Sequence, residues 1–273
     1  MNVEEFFDHF LDELQENPDL RYYYKYLDKP SRFQYRKAYF CQRLEYIKKH
    51  INDPSLRIWD CGCGFGTTAF FLALNGIKVH GTTLEHYIEQ IPRRIDFWSQ
   101  FGDVSGFTYS YENLFDHQFE KDSQDCIIIQ DTLHHLEPLH QAIDILDHVL
   151  APGGKMVIIE ENGNNVIQNM KLYLQRGSKK VIEVYDVTLE KTYLLGNENI
   201  RSLKKWKQAF SNNHLEIEER SIQYIRFYLP FMFSNKNPQR KIRKEQRLWK
   251  KNPLLKEYFF FGINFIVRKP AKN

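Results

Sequence analysis

Long apolar runs are scarce in this 273-residue chain. The longest, Phe259 to Val267, is broken by Gly262 and Asn264 and is far too short to cross a bilayer. The N-terminal residues Met-Asn-Val-Glu-Glu-Phe-Phe-Asp lack the basic start of a signal peptide, so a cytoplasmic location is expected. Cysteine is sparse: Cys41, Cys61, Cys63 and Cys126. They form no Cys-x-x-Cys pair and have no histidine-rich partner set, so no metal site is expected. Free thiols suit a reducing compartment. No Gly-Lys-Ser/Thr follows the one glycine-rich turn, which removes a P-loop. Internal repeats and low-complexity segments are absent too.

What is present is ordinary in bulk. Hydrophobic residues make up 42% and charged residues 27%, as in a soluble globule, and the length suits one elaborated α/β domain. Aromatics are high at 15%. Most of them are expected in the core, and some in the wall of a pocket for an apolar substrate. The net charge is +3, but its distribution is uneven. Residues 236–256 hold nine lysines and arginines against Glu245 alone, a local excess of eight that leaves the rest of the chain five negative.

The pattern of apolar residues alternates strand and helix as a parallel sheet requires. Residues 3–16 read as a helix and Pro18 interrupts it. The tyrosine cluster Tyr22, Tyr23, Tyr24 and Tyr26 follows, and residues 31–50 read as a second helix. Then come a strand at 57–60, a helix at 67–75 stopped by Gly76, a strand at 77–82 and a helix over 85–101. Pro92 starts that helix late or kinks it. Strands follow at 107–111 and 125–130, a helix at 138–150 and a strand at 155–160. The Cys-Ile-Ile-Ile run of the fourth strand suits burial on both faces. The last third reads as helices at 166–174 and 201–212, a sixth strand at 215–227 and a final strand at 258–267. The basic stretch is an insertion, about 230–257, between these last two strands.

The turn after the first strand reads Asp60-Cys61-Gly62-Cys63-Gly64-Phe65-Gly66. Its glycines permit positive φ and close backbone approach by a ligand. The spacing is Gly-x-Gly-x-Gly, not that of dinucleotide-binding turns. A carboxylate at Asp60 would repel a pyrophosphate and suit a cationic amino-acid moiety. The ligand implied is S-adenosylmethionine, which carries positive sulfonium and ammonium groups and no phosphate.

This segment resembles the first motif of class I S-adenosylmethionine-dependent methyltransferases. Gln130-Asp131-Thr132-Leu133-His134-His135-Leu136 resembles the segment after the fourth strand in small-molecule members, and Leu150-Ala151-Pro152-Gly153-Gly154-Lys155 resembles the turn before their fifth strand. The resemblance is strong over roughly residues 52–160. It implies a Rossmann-like, seven-stranded, mostly parallel sheet with an antiparallel last strand. It also implies an N-terminal helical cap over residues 1–50 on a cofactor-binding domain at 51–273. The cofactor would be S-adenosyl-L-methionine and the product S-adenosyl-L-homocysteine.

Ligands of such sheets sit at the carboxyl ends of the strands. The turn supplies Asp60, Cys61, Gly62, Cys63, Gly64 and Gly66. After strand two most members carry an acid for the ribose. Here Thr83 and Leu84 stand in a Val-x-Gly-x-Thr-Leu pattern that resembles the cyclopropane-fatty-acid synthase branch, and Glu85 is an alternative ribose contact. After strand three, Glu112, Asn113 and Leu114 fall where adenine is read, or serve as turn residues. After strand four, Gln130 and Thr132 should line the methionine side. His134 and His135 are the candidate general bases for a weak nucleophile, the alternative being that both pack the loop.

The expected acceptor is a small molecule, apolar or aromatic, with the atom methylated left open. The hexad Tyr228-Leu229-Pro230-Phe231-Met232-Phe233 beside the basic stretch adds an expected contact with anionic membrane. Cyclopropane-type lipid modification and RNA methylation are the alternatives. The second is disfavoured by the negative remainder of the chain and the lack of an RNA-binding module. The absence of Asn/Asp-Pro-Pro-Tyr/Phe argues against methylation of exocyclic adenine or glutamine nitrogen in that style. The sequence does not fix an oligomeric state.

Overall fold

A computed structural model describes residues 1–84, 86–116, 119–233 and 238–271. The chain opens with α1 (Val3–Glu16), whose start is fixed by a capping box between Asn2 and Glu5. Its apolar stripe of Val3, Phe6, Phe7, Phe10 and Leu14 is buried. Pro18 interrupts this helix by beginning another, α2 (Pro18–Tyr24), where its missing N–H costs nothing and Asn17 caps the turn. The longer α3 (Phe33–His50) completes the front segment.

The sheet then assembles from β1 (Ile58–Cys61), β2 (Val79–Thr83), β3 (Phe107–Tyr111), β4 (Gln124–Gln130) and β5 (Leu150–Glu161). All neighbours among these five are parallel, in the order β3-β2-β1-β4-β5. Between them run α4 (Thr67–Ala73), α5 (Ile91–Trp98) and α6 (Leu139–Val149). Pro92 delays α5: a short 3-10 turn, His86–Gln90, precedes it and the helix begins only at Ile91. The middle of β4, Cys126 to Ile129, is buried throughout, because helices cover both sheet faces.

After α7 (Val166–Arg176) the chain forms a hairpin, β6 (Val181–Asp186) and β7 (Lys191–Gly196), absent from the sequence expectation. Next come α8 (Leu203–Ser211), β8 (Glu216–Ile217) and β9 (Gln223–Ile225). Then follow α9 (Pro238–Lys251), α10 (Pro253–Phe259) and β10 (Gly262–Arg268). β10 is antiparallel to β5 and pairs on its other side with both β8 and β9. The sixth strand is therefore two short pieces, not one run over 215–227. A 3-10 turn at Glu219–Ser221 splits it, and the Ser221 hydroxyl accepts the Ile266 N–H across the gap. The main sheet counts eight strands in seven positions for this reason.

The basic stretch forms α9, and its one acid anchors it. Glu245 is fully buried. It accepts hydrogen bonds from the Tyr39 hydroxyl and from the backbone N–H groups of Arg226 and Phe227. Lys236 lies outside the described residues. Of the hexad, Tyr228 and Phe233 are buried against Tyr39, whereas Phe231 is 84% exposed. No helix among the described residues is long and apolar enough to cross a membrane.

Candidate functional site

A cavity of about 570 Å³ opens at the carboxyl ends of β1, β2, β3 and β4. The front helices and the β6–β7 hairpin close it from the other side. Of the cofactor candidates named from sequence, setting aside the alternative Glu85, twelve of thirteen line it. Gly66 does not. It is the N-cap of α4 at φ 74°, and a Cβ there would lie 2.7 Å from the Phe107 ring.

The turn after β1 is folded tightly onto its neighbours. The N–H groups of Gly62 and Cys63 both donate to the Thr82 carbonyl. Gly62 sits at φ 82°, and a Cβ on it would come within 2.2 Å of Thr132 Oγ1. Glycine is required there by conformation and by space. Thr132 in turn donates to the Gln130 carbonyl, and Thr68 donates to the Gln130 side-chain oxygen at 3.3 Å.

Asp60 is 2% exposed at the end of β1 and faces the cavity. Burial alone pushes its carboxyl up to about 7. The cysteines beside it are likewise raised by burial, with Asp60 adding to the effect, so neither is a reactive thiolate.

From β2, Thr83 and Leu84 reach the cavity; Glu85 lies outside the described residues. From β3 come Glu112, Asn113 and Leu114. The Asn113 side chain is already used in its own turn, accepting from Phe115 N–H and donating to Asp116.

The two histidines part company. His135 lines the cavity and His134 does not. His134 is 3% exposed, with Nδ1 at 2.6 Å from Glu160 and Nε2 at 3.7 Å from Glu198. Burial disfavours its charge, but Glu160, with Asp131 and Glu198, outweighs that and raises the imidazole to about 9. It is thus held protonated at neutral pH, the wrong state for a base. His135 Nδ1 lies 2.7 Å from the Gly196 carbonyl, which can only accept, so Nδ1 is the donor and, in the neutral tautomer this selects, Nε2 carries the lone pair.

The opposite wall comes from residues that sequence reasoning did not single out. Tyr35, Tyr39 and Arg43 enter from α3, Tyr193 to Leu195 from the hairpin, and Arg226 from the loop after β9. Arg43 pairs with Asp131. Burial opposes ionisation of Asp131, yet Arg43, aided by Arg226 and His134, holds its carboxyl below the usual range. The tyrosine cluster at 22–26 was the one available signal for this wall, and Tyr24 bonds Thr67 of α4 at 2.9 Å.

Comparison with known proteins points to methyltransferases. Residues 59–158 match the family described as "Methyltransferase domain". A ubiquinone biosynthesis O-methyltransferase of Xylella fastidiosa is 29% identical over 119 residues, 42% of this chain. The match spans 46% of that protein, so the chain covers about half the length of the curated relative. A phosphoethanolamine N-methyltransferase 2 of Haemonchus contortus, solved with S-adenosyl-L-methionine, superposes with a TM-score of 0.56 at 16% identity, over 85% of this chain and 52% of that one. An S-adenosylmethionine-dependent methyltransferase of Mesorhizobium loti gives a TM-score of 0.51 at 17% identity, over 84% and 97% of the two chains.

Proposed function

We propose that this chain, a class I S-adenosylmethionine-dependent methyltransferase by its matched domain and its sheet order, methylates a small, largely apolar or aromatic acceptor. Asp60 carries the reading. A carboxyl buried this deeply is raised by burial alone to about 7, and a positive ligand beside it would favour its ionised form at neutral pH. The adjoining Gly62 lets the turn close onto Thr132 beside the cavity only because it has no side chain. A cavity of about 570 Å³ falls in the range of small-molecule sites. These residues fit S-adenosylmethionine, which supplies a methyl group already activated by its sulfonium and leaves as S-adenosylhomocysteine.

In this reading Asp60 holds the ammonium, with Gln130 and Thr132 along the methionine part. Thr83, Leu84, Glu112, Asn113 and Leu114 border the nucleoside part. The acceptor lies between the turn and the tyrosines of α3, in a volume closed by the hairpin, where water is displaced. His135 Nε2 takes the proton that a hydroxyl acceptor must lose. His134, locked between two carboxylates, positions the turn that carries His135. The relative's name points to O-methyl transfer in ubiquinone biosynthesis, so a quinone-like phenol is the acceptor we favour. Contact with anionic membrane belongs to the same reading: exposed Phe231 and Met232 shortly precede the basic helix α9 in the chain.

Calorimetry with S-adenosylmethionine and its demethylated product, followed by methyl-label transfer to a panel of quinone-like phenols, tests the proposal. Heat with both nucleosides and label in a phenol are expected. No heat with either would overturn the cofactor reading. Binding with label only in non-phenolic acceptors would overturn the acceptor class.

A further inference from the structure

The turn after β4 and the end of the hairpin meet unusually closely. A Cβ at Gly196 would lie 2.0 Å from the His134 carbonyl oxygen. Leu136 and Leu195 form an antiparallel bridge beside it. This contact brings Glu198 to the histidine pair. Glu198 is held at φ 52°, with its N–H donating to the Gly196 carbonyl and its own carbonyl accepting from Ile200 at 2.7 Å and from Arg176 at 3.2 Å. One donor atom each from His134, His135 and Glu198 then lies within 4.8 Å of the others.

The surroundings of the two rings add a second, independent observation. A metal-bound histidine characteristically gives its other ring N–H to a carboxylate or a backbone carbonyl, which fixes the tautomer and aims the lone pair. Both partners are here. His134 Nδ1 meets Glu160 at 2.6 Å, and His135 Nδ1 meets the Gly196 carbonyl at 2.7 Å. The Glu160 carboxylate is itself held by the His134 backbone N–H at 3.3 Å. Both Nδ1 atoms are thereby engaged, and His134 Nε2 faces Glu198 at 3.7 Å, where a bound ion would take the place of its proton. Glu198 is 42% exposed, which gives an ion a way in from solvent.

We propose that His134, His135 and Glu198 form a binding site for a divalent first-row transition ion, with zinc as the ion its donors suit best. Two imidazoles and one carboxylate, with no thiolate, form a borderline donor set. Magnesium and calcium prefer all-oxygen shells. Three protein ligands leave a fourth position open, the pattern of zinc sites that also bind a small molecule. Cysteine spacing carries no sign of such a site, because its donors come from two distant segments joined only by the fold. The inference goes beyond methyl transfer and does not depend on it. It has one consequence for that reaction: zinc and a proton compete for His135 Nε2, so a filled site inhibits the proton uptake assigned to His135.

Zinc content by mass spectrometry after equilibrium dialysis, with zinc-edge X-ray absorption on the wild-type chain, tests the site. One zinc per chain with a nitrogen and oxygen shell showing histidine scattering is expected. Glu198→Ala and His135→Ala should each weaken zinc at least tenfold, and Glu160→Gln should weaken it about 10–100-fold. Wild-type chain that retains no zinc, a shell containing sulfur, or unchanged affinity in both ligand variants would overturn it. The wild-type absorption measurement decides the matter even if a variant misfolds. Zinc bound as described with methyl transfer undiminished would leave the site standing and remove His135 as the base.

Discussion

Arg94 and Glu13 form a two-pronged ion pair, 2.7 Å on each arm, with neither side chain more than 2% exposed. The pair fastens α1 to α5, and Arg94 continues to the Phe65 carbonyl at 2.7 Å and to Thr67 at 2.8 Å. One buried guanidinium therefore ties the front helices to the glycine turn. Arg94→Met should cost about 3–5 kcal/mol, because Glu13 is left as an unpaired buried charge. Removing both partners, as in Glu13→Met with Arg94→Met, should cost less than the sum. Urea denaturation of the two singles and the double reads the coupling. Additive losses would mean that the pair does not act as a unit.

Asp60 makes ligand binding depend on pH. Its folded value, about 7, lies above the ordinary 3.8, so the folded chain binds the extra proton between those values. Its contribution to stability without ligand thus falls as pH rises through that window and levels off above 7. A cationic ligand needs the ionised form, so affinity should run the other way, strengthening from pH 6 to pH 8 and then flattening. Asp60→Asn should weaken S-adenosylmethionine about 10–100-fold at pH 8, the loss of a charged hydrogen bond, and flatten the profile. Calorimetric titrations at three pH values check both. A profile that persists in Asp60→Asn would assign the dependence to another group.

The glycine turn offers an internal contrast. Gly62 and Gly64 both have positive φ, but only Gly62 is crowded by Thr132. Gly64→Ala should cost about 1–2 kcal/mol for the left-handed backbone alone. Gly62→Ala adds a steric clash and should lose more stability and most ligand binding. Thermal melts with and without S-adenosylhomocysteine compare them. Equal losses would mean that the close approach to Thr132 does not constrain the turn.

The parts of this molecule that sequence made legible are those set by local pattern. The β-branched run of β4, the acid-then-glycine turn and Pro92 each act within a few residues of themselves. The sixth strand was misread as continuous because its apolar pattern runs through a break that only Ser221 and Ile266 explain. The β6–β7 hairpin was missed although Tyr193 and Leu195 alternate with exposed neighbours, since mostly exposed strands have a weak periodic signal. Arg94 with Glu13, and Glu198 with the two histidines, were out of reach. Each joins distant segments, and their charges look like solvated surface residues in the sequence. The histidine pair was visible, but their roles are separated only by the fold, which sets Glu160 against His134 and the Gly196 carbonyl against His135.

The same limit applies to α9, and it leads to the last prediction. In sequence its charges form an undifferentiated basic run. In the fold Glu245 faces inward, while Arg243, Lys244, Arg247 and Lys250 are exposed. Replacing those four with glutamate should leave Glu245 and its three hydrogen bonds intact, so the melting temperature should move little. Flotation with vesicles containing anionic lipid should then separate the variants. The wild-type chain should float in low salt and be released by high salt, since exposed charges are screened. The variant should remain in solution with S-adenosylhomocysteine binding unchanged. Glu245→Ala should do the reverse, leaving the Tyr39 hydroxyl and two backbone N–H groups unsatisfied at about 1–3 kcal/mol each while preserving the exposed charge. A wild-type chain that fails to float, or a variant that floats equally well, would remove membrane contact from the proposal and leave α9 as a solvated helix face.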